Sequence, residues 1–375
     1  MSEASDPNPS SRASSGAGDA SSSSRSSSGK KPRRERKPDW LKVRAPGGEA
    51  YKRIKETLRK LDLYTVCEEA RCPNVAECWS QGTATIMVLG HTCTRGCRFC
   101  AVTTGNPRGA VDPREPEHVG KALASLGLKY VVMTMVDRDD MLDGGASHLA
   151  ATVRALRRRQ PDILIETLAG DFNGRHPDID VVLAAAPDVF AHNVEVPRRM
   201  TPLIRDARCD YDLSLDVLRY AKSAAPERFT KSSIMVGIGE TDDEVFETMG
   251  DLKDTGVDIV TLGQYLRPTP KHAPVDRYVH PDVFAAYEAH GYSLGFRFVA
   301  SGPLVRSSYH AAEAFVESDH RTPSRQATAA EESSDFGPGV SAAEVIAAAG
   351  ASVDGSACAP ESTEQLIPLS RLTRS

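Results

Sequence analysis

The chain has 375 residues, of which 40% are apolar, and a formal net charge of -5 at pH 7. This length and composition are enough to bury one substantial hydrophobic core or two small ones. There is no apolar run of about 18 residues, so a membrane span is not expected, and the net charge gives no general affinity for nucleic acid. Eight cysteines, six of them between positions 67 and 100, favour metal binding in the reducing cytoplasm over a secreted disulfide framework.

Both ends of the chain have the composition of disordered tails. Residues 1–38 consist largely of Ser, Gly, Pro, Arg and Lys, and residues 317–375 of small and polar side chains. Such segments bury too little apolar surface to offset the entropy lost on ordering. The basic run at 30–37 could bind an acidic partner or nucleic acid, but a solvated tail is the favoured interpretation. Between the tails we expect an N-terminal extension at 39–83, a barrel domain at 84–298 and a C-terminal segment at 299–316.

Strand and helix patterns alternate through the central part of the chain. Six apolar runs predict buried parallel strands, at 84–90, 130–136, 163–168, 189–194, 233–238 and 259–266. Helical spacing of apolar residues predicts helices at 51–63, 116–126, 146–160, 179–186, 213–225 and 242–255. Strands joined by crossover helices predict a parallel α/β domain. The pattern alone does not distinguish an open sheet from a barrel.

Six cysteines form two triads with different spacings. They are Cys67, Cys72 and Cys78 (C-x4-C-x5-C), and Cys93, Cys97 and Cys100 (C-x3-C-x2-C). A structural zinc site would use four Cys or His ligands, often as C-x2-C pairs, and His91 is the best candidate for a fourth ligand. A cubane of four irons and four sulfides is favoured, because its corners are ligated one by one and an uncapped corner becomes a reactive site.

The second triad, within residues 93–100, resembles the cysteine motif of the radical S-adenosylmethionine enzymes. The resemblance implies that Cys93, Cys97 and Cys100 bind a 4Fe-4S cluster whose open iron binds S-adenosylmethionine. It also implies that the reduced cluster cleaves this cofactor to a 5'-deoxyadenosyl radical, and it favours a barrel. The expected fold is therefore α/β, a partial (β/α)6 TIM-type barrel, with N-terminal and C-terminal extensions that carry an auxiliary iron-sulfur cluster.

Three segments make the resemblance specific to the lipoyl synthase family across about residues 39–314. They are residues 67–74, residues 95–105 and the Arg-Ser-Ser-Tyr sequence at 306–309. The resemblance implies that the first triad holds the auxiliary 4Fe-4S cluster and that Ser308 is its fourth ligand, with Ser307 the nearest alternative. It implies insertion of two sulfur atoms, donated by this cluster, at C6 and C8 of a protein-bound octanoyl-lysine chain. No catalytic residue is predicted beyond the cluster ligands.

Polar and glycine residues at strand ends are the predicted contacts of S-adenosylmethionine. Gly144 and Gly145 follow the second predicted strand, and Glu166 and Asn193 lie at the ends of later strands, where side chains of a barrel face its reactive end. The chain departs from the family pattern His-Asn-x-Glu-Thr-Val here, because residues 192–197 read His-Asn-Val-Glu-Val-Pro. Glu195 lies within this stretch and, like Asn193, could bind the ribose or adenine of the cofactor.

The resemblance also implies partners and leaves alternatives open. The expected partners are octanoylated lipoyl carrier domains, of the 2-oxoacid dehydrogenase E2 subunit and the glycine cleavage H protein, and a low-potential electron donor such as ferredoxin or flavodoxin. The alternatives are another sulfur-inserting radical enzyme, of the biotin synthase or methylthiotransferase type, and a zinc-binding nucleic-acid module. Cys209 and Cys358 belong to no spaced set and are predicted to be ordinary thiols.

Overall fold

The computed structural model describes residues 37–42, 49–60, 64–69, 72, 74–80, 85–126 and 128–308. Apart from Lys37 and Pro38, the two predicted tails lie outside these residues, as do Tyr309 and Cys358. Within the described part, no helix is both long enough and apolar enough to cross a membrane.

Within the described residues, the strands form one sheet of eight and one of two. In spatial order the large sheet contains β1 (Tyr64–Thr65), β2 (Thr85–Val88), β5 (Tyr130–Met135), β6 (Leu164–Leu168), β7 (Val189–Ala191), β8 (Phe229–Val236), β9 (Ile259–Gln264) and β10 (Phe298–Gly302). The small sheet pairs β3 (Thr92–Cys93) with β4 (Thr103–Thr104). The α-helices are α1 (Glu49–Lys60), α2 (Val66–Glu69), α3 (Val75–Ser80), α4 (Glu115–Leu126), α5 (Ala146–Arg159), α6 (His176–Leu183), α7 (Thr201–Ile204), α8 (Tyr211–Ala224), α9 (Asp242–Asp254) and α10 (Pro281–Ser293).

The strand order identifies the large sheet as a partial barrel. From β2 to β10 neighbouring strands are parallel and follow one another in chain order, while β1 pairs antiparallel with β2 at one edge. Right-handed crossovers that never reverse direction place every helix on the same face, so the sheet curls away from the helices. The predicted partial barrel is confirmed. Strand β10 is an additional parallel strand that the sequence did not predict.

Side chains of β5 show how the two faces of the sheet are filled. Val131 and Met133 belong to the core between sheet and helices, together with Leu123 of α4. Tyr130 and Val132 point to the opposite face and pack in the barrel interior. Successive residues of a strand alternate between faces, so a continuous apolar run fills both layers.

Strand β8 begins four residues before the predicted start at 233. Its first half contains Thr230, Lys231 and Ser232, whose polarity hides the strand in the sequence. All three are nevertheless buried, and the Lys231 ammonium lies 2.8 Å from both carboxylate oxygens of Glu166 on β6. A buried charge is tolerated when it is paired. The barrel interior can therefore contain polar and charged residues that the sequence pattern predicts to be exposed.

Candidate iron-sulfur and S-adenosylmethionine site

The second cysteine triad lies on the loop that follows β2. The chain leaves the strand through Leu89 and Gly90, which both have positive φ values of 69° and 82°. It then forms β3, in which Cys93 pairs with Thr104 of β4. The loop thus folds back at the carboxyl edge of the sheet, where barrel enzymes carry their reactive groups.

The three thiols of this loop lie in a desolvated environment. Burial is the main cause that raises the pKa of Cys93 to about 12 and of Cys100 to about 11. The negative charge of Cys100 contributes to the raised pKa of both Cys93 and Cys97, so Cys100 lies within electrostatic range of the other two thiols. Thiols must lose their protons to bind iron, and the raised pKa values show that this site disfavours the resulting negative charge. The positive charge of bound iron would compensate it. The donor set therefore fits a cluster.

Arg95 joins the cysteine loop to the ends of two strands. Its guanidinium donates to Asp139 at 2.9 Å, to Asp171 at 2.7 Å and to Asn173 at 3.2 Å, and only 4% of the residue is exposed. The Cys93 sulfur lies 3.8 Å from a carboxylate oxygen of Asp137. Burial raises the pKa of Asp137 to about 6, although Arg95 opposes this effect. The network fixes the loop through charge-assisted hydrogen bonds.

The other side of the loop is held by segments beyond β7 and β9. The Gly96 amide donates to Asp206 at 2.7 Å, and the Arg98 amide donates to the Ile204 carbonyl at 2.8 Å. His272 is 2.8 Å from the Cys100 carbonyl oxygen. The cysteine loop is therefore anchored on both flanks by contacts that involve its backbone.

Cys209 is not the ordinary thiol that the sequence predicted. Its sulfur accepts a hydrogen bond from Arg95 Nη1 at 3.6 Å, and its side chain affects the pKa of Cys97. The Cys97 side chain is the main cause that lowers the pKa of Cys209 to about 7, and Cys209 raises the pKa of Cys97. No spacing rule could link these cysteines, because they lie on loops after different strands.

Two of the predicted cofactor contacts, Gly144 and Gly145, form the turn before α5. Their φ values are 58° and 92°, in the left-handed region that favours glycine. A Cβ atom on Gly145 would stand 2.4 Å from Leu89 Cδ1, and the Gly145 amide donates to Asp143 at 3.0 Å. The turn thus packs directly against the start of the cysteine loop.

The other two predicted contacts, Glu166 and Asn193, are buried and have protein partners. Glu166 is fully buried and, besides Lys231, accepts a hydrogen bond of 2.6 Å from Tyr130. The Asn193 amide donates to Glu195 at 3.0 Å, and its residue is 8% exposed. Glu166 therefore lies within the barrel, whereas Asn193 lies beyond the end of β7.

Two further residues lie near this end of β7: Glu195, which the sequence indicated as a possible cofactor contact, and His192, which was not predicted as a site residue. Glu195 has φ of 67°, its burial raises its pKa, and its charge contributes to the raised pKa of Cys100. The buried Nε2 atom of His192 has no hydrogen-bond partner among the described residues, and burial lowers the pKa of this histidine to about 4. A strained backbone and an unpaired buried nitrogen are features that functional sites tolerate. The position of both residues after a strand was the available sequence signal.

The first triad gathers around the segment from α2 to α3. The Cys72 amide donates to the Cys67 carbonyl at 3.0 Å, and the Cys78 amide donates to the Asn74 carbonyl at 3.0 Å. Cys67 and Cys78 are buried, whereas Cys72 is partly exposed. Burial, and next the negative charge of Cys72, raise the pKa of Cys67 to about 11.

The C-terminal segment lies against this triad. The buried Asn74 side chain donates to the Leu304 carbonyl at 2.6 Å. The Arg306 guanidinium is close enough to Cys72 and Cys78 to interact with both charges, and burial lowers its pKa despite them. Its buried Nη2 atom lacks a hydrogen-bond partner among the described residues. The Nη1 atom donates to the Val305 carbonyl at 2.6 Å, so one nitrogen of this cation remains unpaired in the described part of the chain, beside Cys72 and Cys78, an arrangement that suits an anionic iron-sulfur cluster.

Among the described residues, no three His, Cys, Asp or Glu side chains are arranged to hold a single metal ion. The ligands of a cubane bind different irons and need not converge on one point. His91, the candidate fourth ligand of a zinc site, is exposed, and its ring lies 4.8 Å from the ring of Tyr64 at an angle of 36°.

Comparison with known proteins identifies the family. A lipoyl synthase of Sorangium cellulosum is 65% identical in an alignment of 296 residues that covers 75% of this chain and 80% of that protein. A lipoyl synthase of Thermus thermophilus is 56% identical over 285 residues, which is 76% of this chain and 88% of that protein. The chain belongs to the lipoyl synthase family. The model of the radical SAM superfamily matches residues 87–252, and that of the N-terminal domain of lipoyl synthase matches residues 11–72.

Membership of the lipoyl synthase family makes this chain a sulfur-inserting radical enzyme, with a 4Fe-4S cluster and S-adenosylmethionine as cofactors. A solved structure of methylornithine synthase (PylB) is also similar, with 13% identity and a TM-score of 0.45, over 69% of this chain and 79% of that one. The N-terminal match at 11–72 starts earlier than residue 39, where the resemblance seen in the sequence began.

Proposed function

We propose that the chain performs the sulfur insertion of its family with two separately held clusters. Cys93, Cys97 and Cys100 hold the cluster that binds S-adenosylmethionine. The first triad, closed by Ser308, holds an auxiliary 4Fe-4S cluster that is consumed as the sulfur donor for C6 and C8 of an octanoyl-lysine chain. The observation that carries this proposal is the contact between the C-terminal segment and the first triad, made by Leu304 with Asn74.

The chemistry requires a radical, because an unactivated C-H bond offers acid-base catalysis no acidic proton. When bound, the cluster and S-adenosylmethionine supply that radical. The residues around the second triad bind and orient: Arg95 holds the loop against Asp139 and Asp171, and the partly buried position of the thiols limits the access of water to the cluster that they would bind. Excluding water protects a reactive intermediate from solvent.

Ser308 and Ser307 follow Arg306 directly and are both partly exposed. An alkoxide oxygen is a harder ligand than a thiolate, so the iron that it binds should be released more readily than the other three. Such lability suits a cluster that is dismantled during turnover. Arg306, beside Cys72 and Cys78, offsets part of the negative charge that three thiolates bring.

The four contacts proposed for S-adenosylmethionine are Gly144, Gly145, Glu166 and Asn193. The glycine turn supports this role by its place against Leu89, at the start of the cysteine loop. Asn193 supports it by its place beside Glu195, whose charge acts on Cys100. The carboxylate of Glu166 already binds Lys231 and Tyr130, so the proposed contact with the cofactor would be an additional interaction of the same carboxylate.

Proposed partners follow from the family. They are octanoylated lipoyl carrier domains, as in the E2 subunit of 2-oxoacid dehydrogenases and the H protein of glycine cleavage, and a low-potential donor such as ferredoxin or flavodoxin. The proposed compartment is the cytoplasm, where reduced thiols persist.

Single substitutions in each triad test the division of roles. Cys97→Ala should abolish formation of 5'-deoxyadenosine, whereas Cys72→Ala should still form it but yield no lipoyl group. The readouts are iron content, with about eight irons expected per wild-type chain from two cubanes, chromatography of nucleosides, and mass spectrometry of an octanoyl-lysine peptide. Cys358→Ala, outside both triads, is the matched control and should behave as wild type. Sulfur insertion by Cys72→Ala would refute the donor assignment.

A paired substitution tests the serine ligand. Ser308→Ala should assemble an auxiliary cluster with altered iron release to a chelator, whereas Ser307→Ala should leave this release unchanged. The two serines are adjacent and differ only in position, so each controls for the other. If Ser307→Ala alone changes iron release, Ser307 is the ligand.

A further inference from the structure

One carboxylate joins the two ends of the cysteine loop. This loop begins at Leu89, directly after β2, and ends where Glu115 begins α4. The Leu89 amide donates to Glu115 Oε2 at 2.8 Å, and the Gly90 amide donates to Glu115 Oε1 at 3.3 Å. Leu89 and Glu115 are 26 positions apart in the chain. The two oxygens of Glu115 therefore close the loop that contains the whole second triad.

The turn held by this carboxylate has a backbone conformation that leucine disfavours. Leu89 has φ of 69°, in the left-handed region, which is costly for a residue with a bulky side chain. Gly90 follows with φ of 82°, which glycine adopts without this cost. Successive backbone amides of a turn can form a concave site for an anion. The Glu115 carboxylate fills that position and offsets the strain at Leu89.

Two further side chains fix the same turn. Nε2 of His148, on α5, lies 2.7 Å from Glu115 Oε2. Arg138 donates through Nη1 to the Leu89 carbonyl at 3.4 Å. Both Glu115 and Arg138 are buried, where hydrogen bonds to charged groups are stronger than in water. Leu89 is thus held through its amide and its carbonyl, as a strained residue must be if it is to persist.

We propose that Glu115 is a positioning residue for the second triad. Its carboxylate holds the turn at 89–90 in the left-handed conformation and so fixes the direction in which the cysteine loop leaves β2. Cys93 follows Gly90 after three residues. Without the carboxylate, the turn would relax and displace the loop. The anchoring is independent of the proposed function, whereas its consequence for a bound cluster rests on it.

Amide hydrogen exchange in the full-length, cluster-free chain tests the anchoring. Glu115→Gln preserves the shape of the side chain but replaces one accepting oxygen with a donating group, so it cannot bind both amides. Exchange at Leu89 and Gly90 should become faster by about tenfold or more, while exchange at Val131 in β5 should not change. Glu117→Gln, on the exposed side of the same helical turn, is the matched control and should exchange as wild type.

Two results of this measurement would overturn the proposal. Unchanged exchange at Leu89 and Gly90 would show that the carboxylate does not hold the turn. Equally faster exchange at Val131 would show that Glu115→Gln destabilises the whole barrel instead.

Leu89→Gly tests whether Glu115 opposes backbone strain. Glycine adopts the left-handed conformation freely, so Glu115→Gln should speed exchange at Gly90 less in the Leu89→Gly chain than in the wild-type chain. A residue that only stabilises the core would have the same effect in both chains. Equal acceleration in both would contradict the proposal.

Electron paramagnetic resonance reads the consequence at the second triad. In a reduced, cluster-loaded Cys72→Ala chain, adding Glu115→Gln should alter the cluster signal and weaken S-adenosylmethionine binding by about tenfold, with iron content unchanged. Identical signals and affinities would overturn the positioning role. If Cys72→Ala takes up no iron at all, the cluster assignment fails instead, and hydrogen exchange still decides whether Glu115 holds the turn.

Discussion

Replacing Lys231 with Met should destabilise the barrel severely, because it removes the charge that compensates Glu166. Glu166 is 0% exposed and Lys231 is 1% exposed. The ammonium nitrogen lies 2.8 Å from each carboxylate oxygen, and Tyr130 donates one more hydrogen bond to the same carboxylate. Methionine nearly preserves the length of the lysine side chain, so the change removes charge with little loss of volume.

The expected cost follows from what the substitution leaves behind. Removing one partner of a buried ion pair leaves an uncompensated charge and typically costs about 3–5 kcal/mol. The hydrogen bond from Tyr130 still stabilises the carboxylate after the substitution, so we expect a loss of unfolding free energy at the low end of this range, about 3 kcal/mol. This is a large fraction of the roughly 5–15 kcal/mol that stabilises a typical domain. In the double variant Lys231→Met with Glu166→Gln no buried charge remains, so we expect it to be more stable than Lys231→Met alone by about 1–2 kcal/mol.

Urea unfolding of the cluster-free chain, followed by circular dichroism without oxygen, measures these differences. The wild-type chain, both single variants and the double variant form one thermodynamic cycle. A loss below about 1 kcal/mol for Lys231→Met, or strictly additive effects in the cycle, would show that the pair does not stabilise the barrel in this way. Binding of S-adenosylmethionine to Glu166→Gln, measured by calorimetry on the loaded chain, separately tests the proposed cofactor contact.

Three further perturbations probe the surroundings of the two triads. Arg306→Met should speed the release of auxiliary iron to a chelator, because it removes the cation beside Cys72 and Cys78. Arg306→Lys should retain more of the wild-type rate, and equal rates in all three chains would contradict this. Asp140→Asn should cost about 2 kcal/mol at pH 7, because Arg138 holds the pKa of Asp140 at about 2, below its ordinary value of 3.8. This contribution is present above pH 4 and is lost as the pH falls, by about half at pH 3. The free energies of unfolding in urea of the cluster-free variant and wild-type chains should therefore converge in acid, and a difference that stays constant with pH would refute the assignment. Gly145→Ala should lower stability by about 1–3 kcal/mol through its positive φ and its approach to Leu89, and an unchanged denaturation midpoint would refute that packing.

The regular part of the fold was predictable because its signals are local. A run such as Ile259–Gln264 shows its buried strand through neighbouring residues alone. Strand β10 escaped prediction because Phe298–Gly302 is short and ends in Ser and Gly, and its register is set by pairing with β9. Helix α10 escaped as well, although His280 caps its first turn and Pro281 begins it.

Sequence spacing determined the two triads, the loop after β2 and, through resemblance, the family. Tertiary structure decided which distant residues meet them. Asn74 and Leu304 are 230 residues apart in the chain, and Glu166 and Lys231 are 65 apart; Cys97 and Cys209 likewise interact only through their loops. Periodicity relates residues within a few positions of one another. Contacts across the barrel depend instead on strand order, register and loop closure, which no short pattern contains.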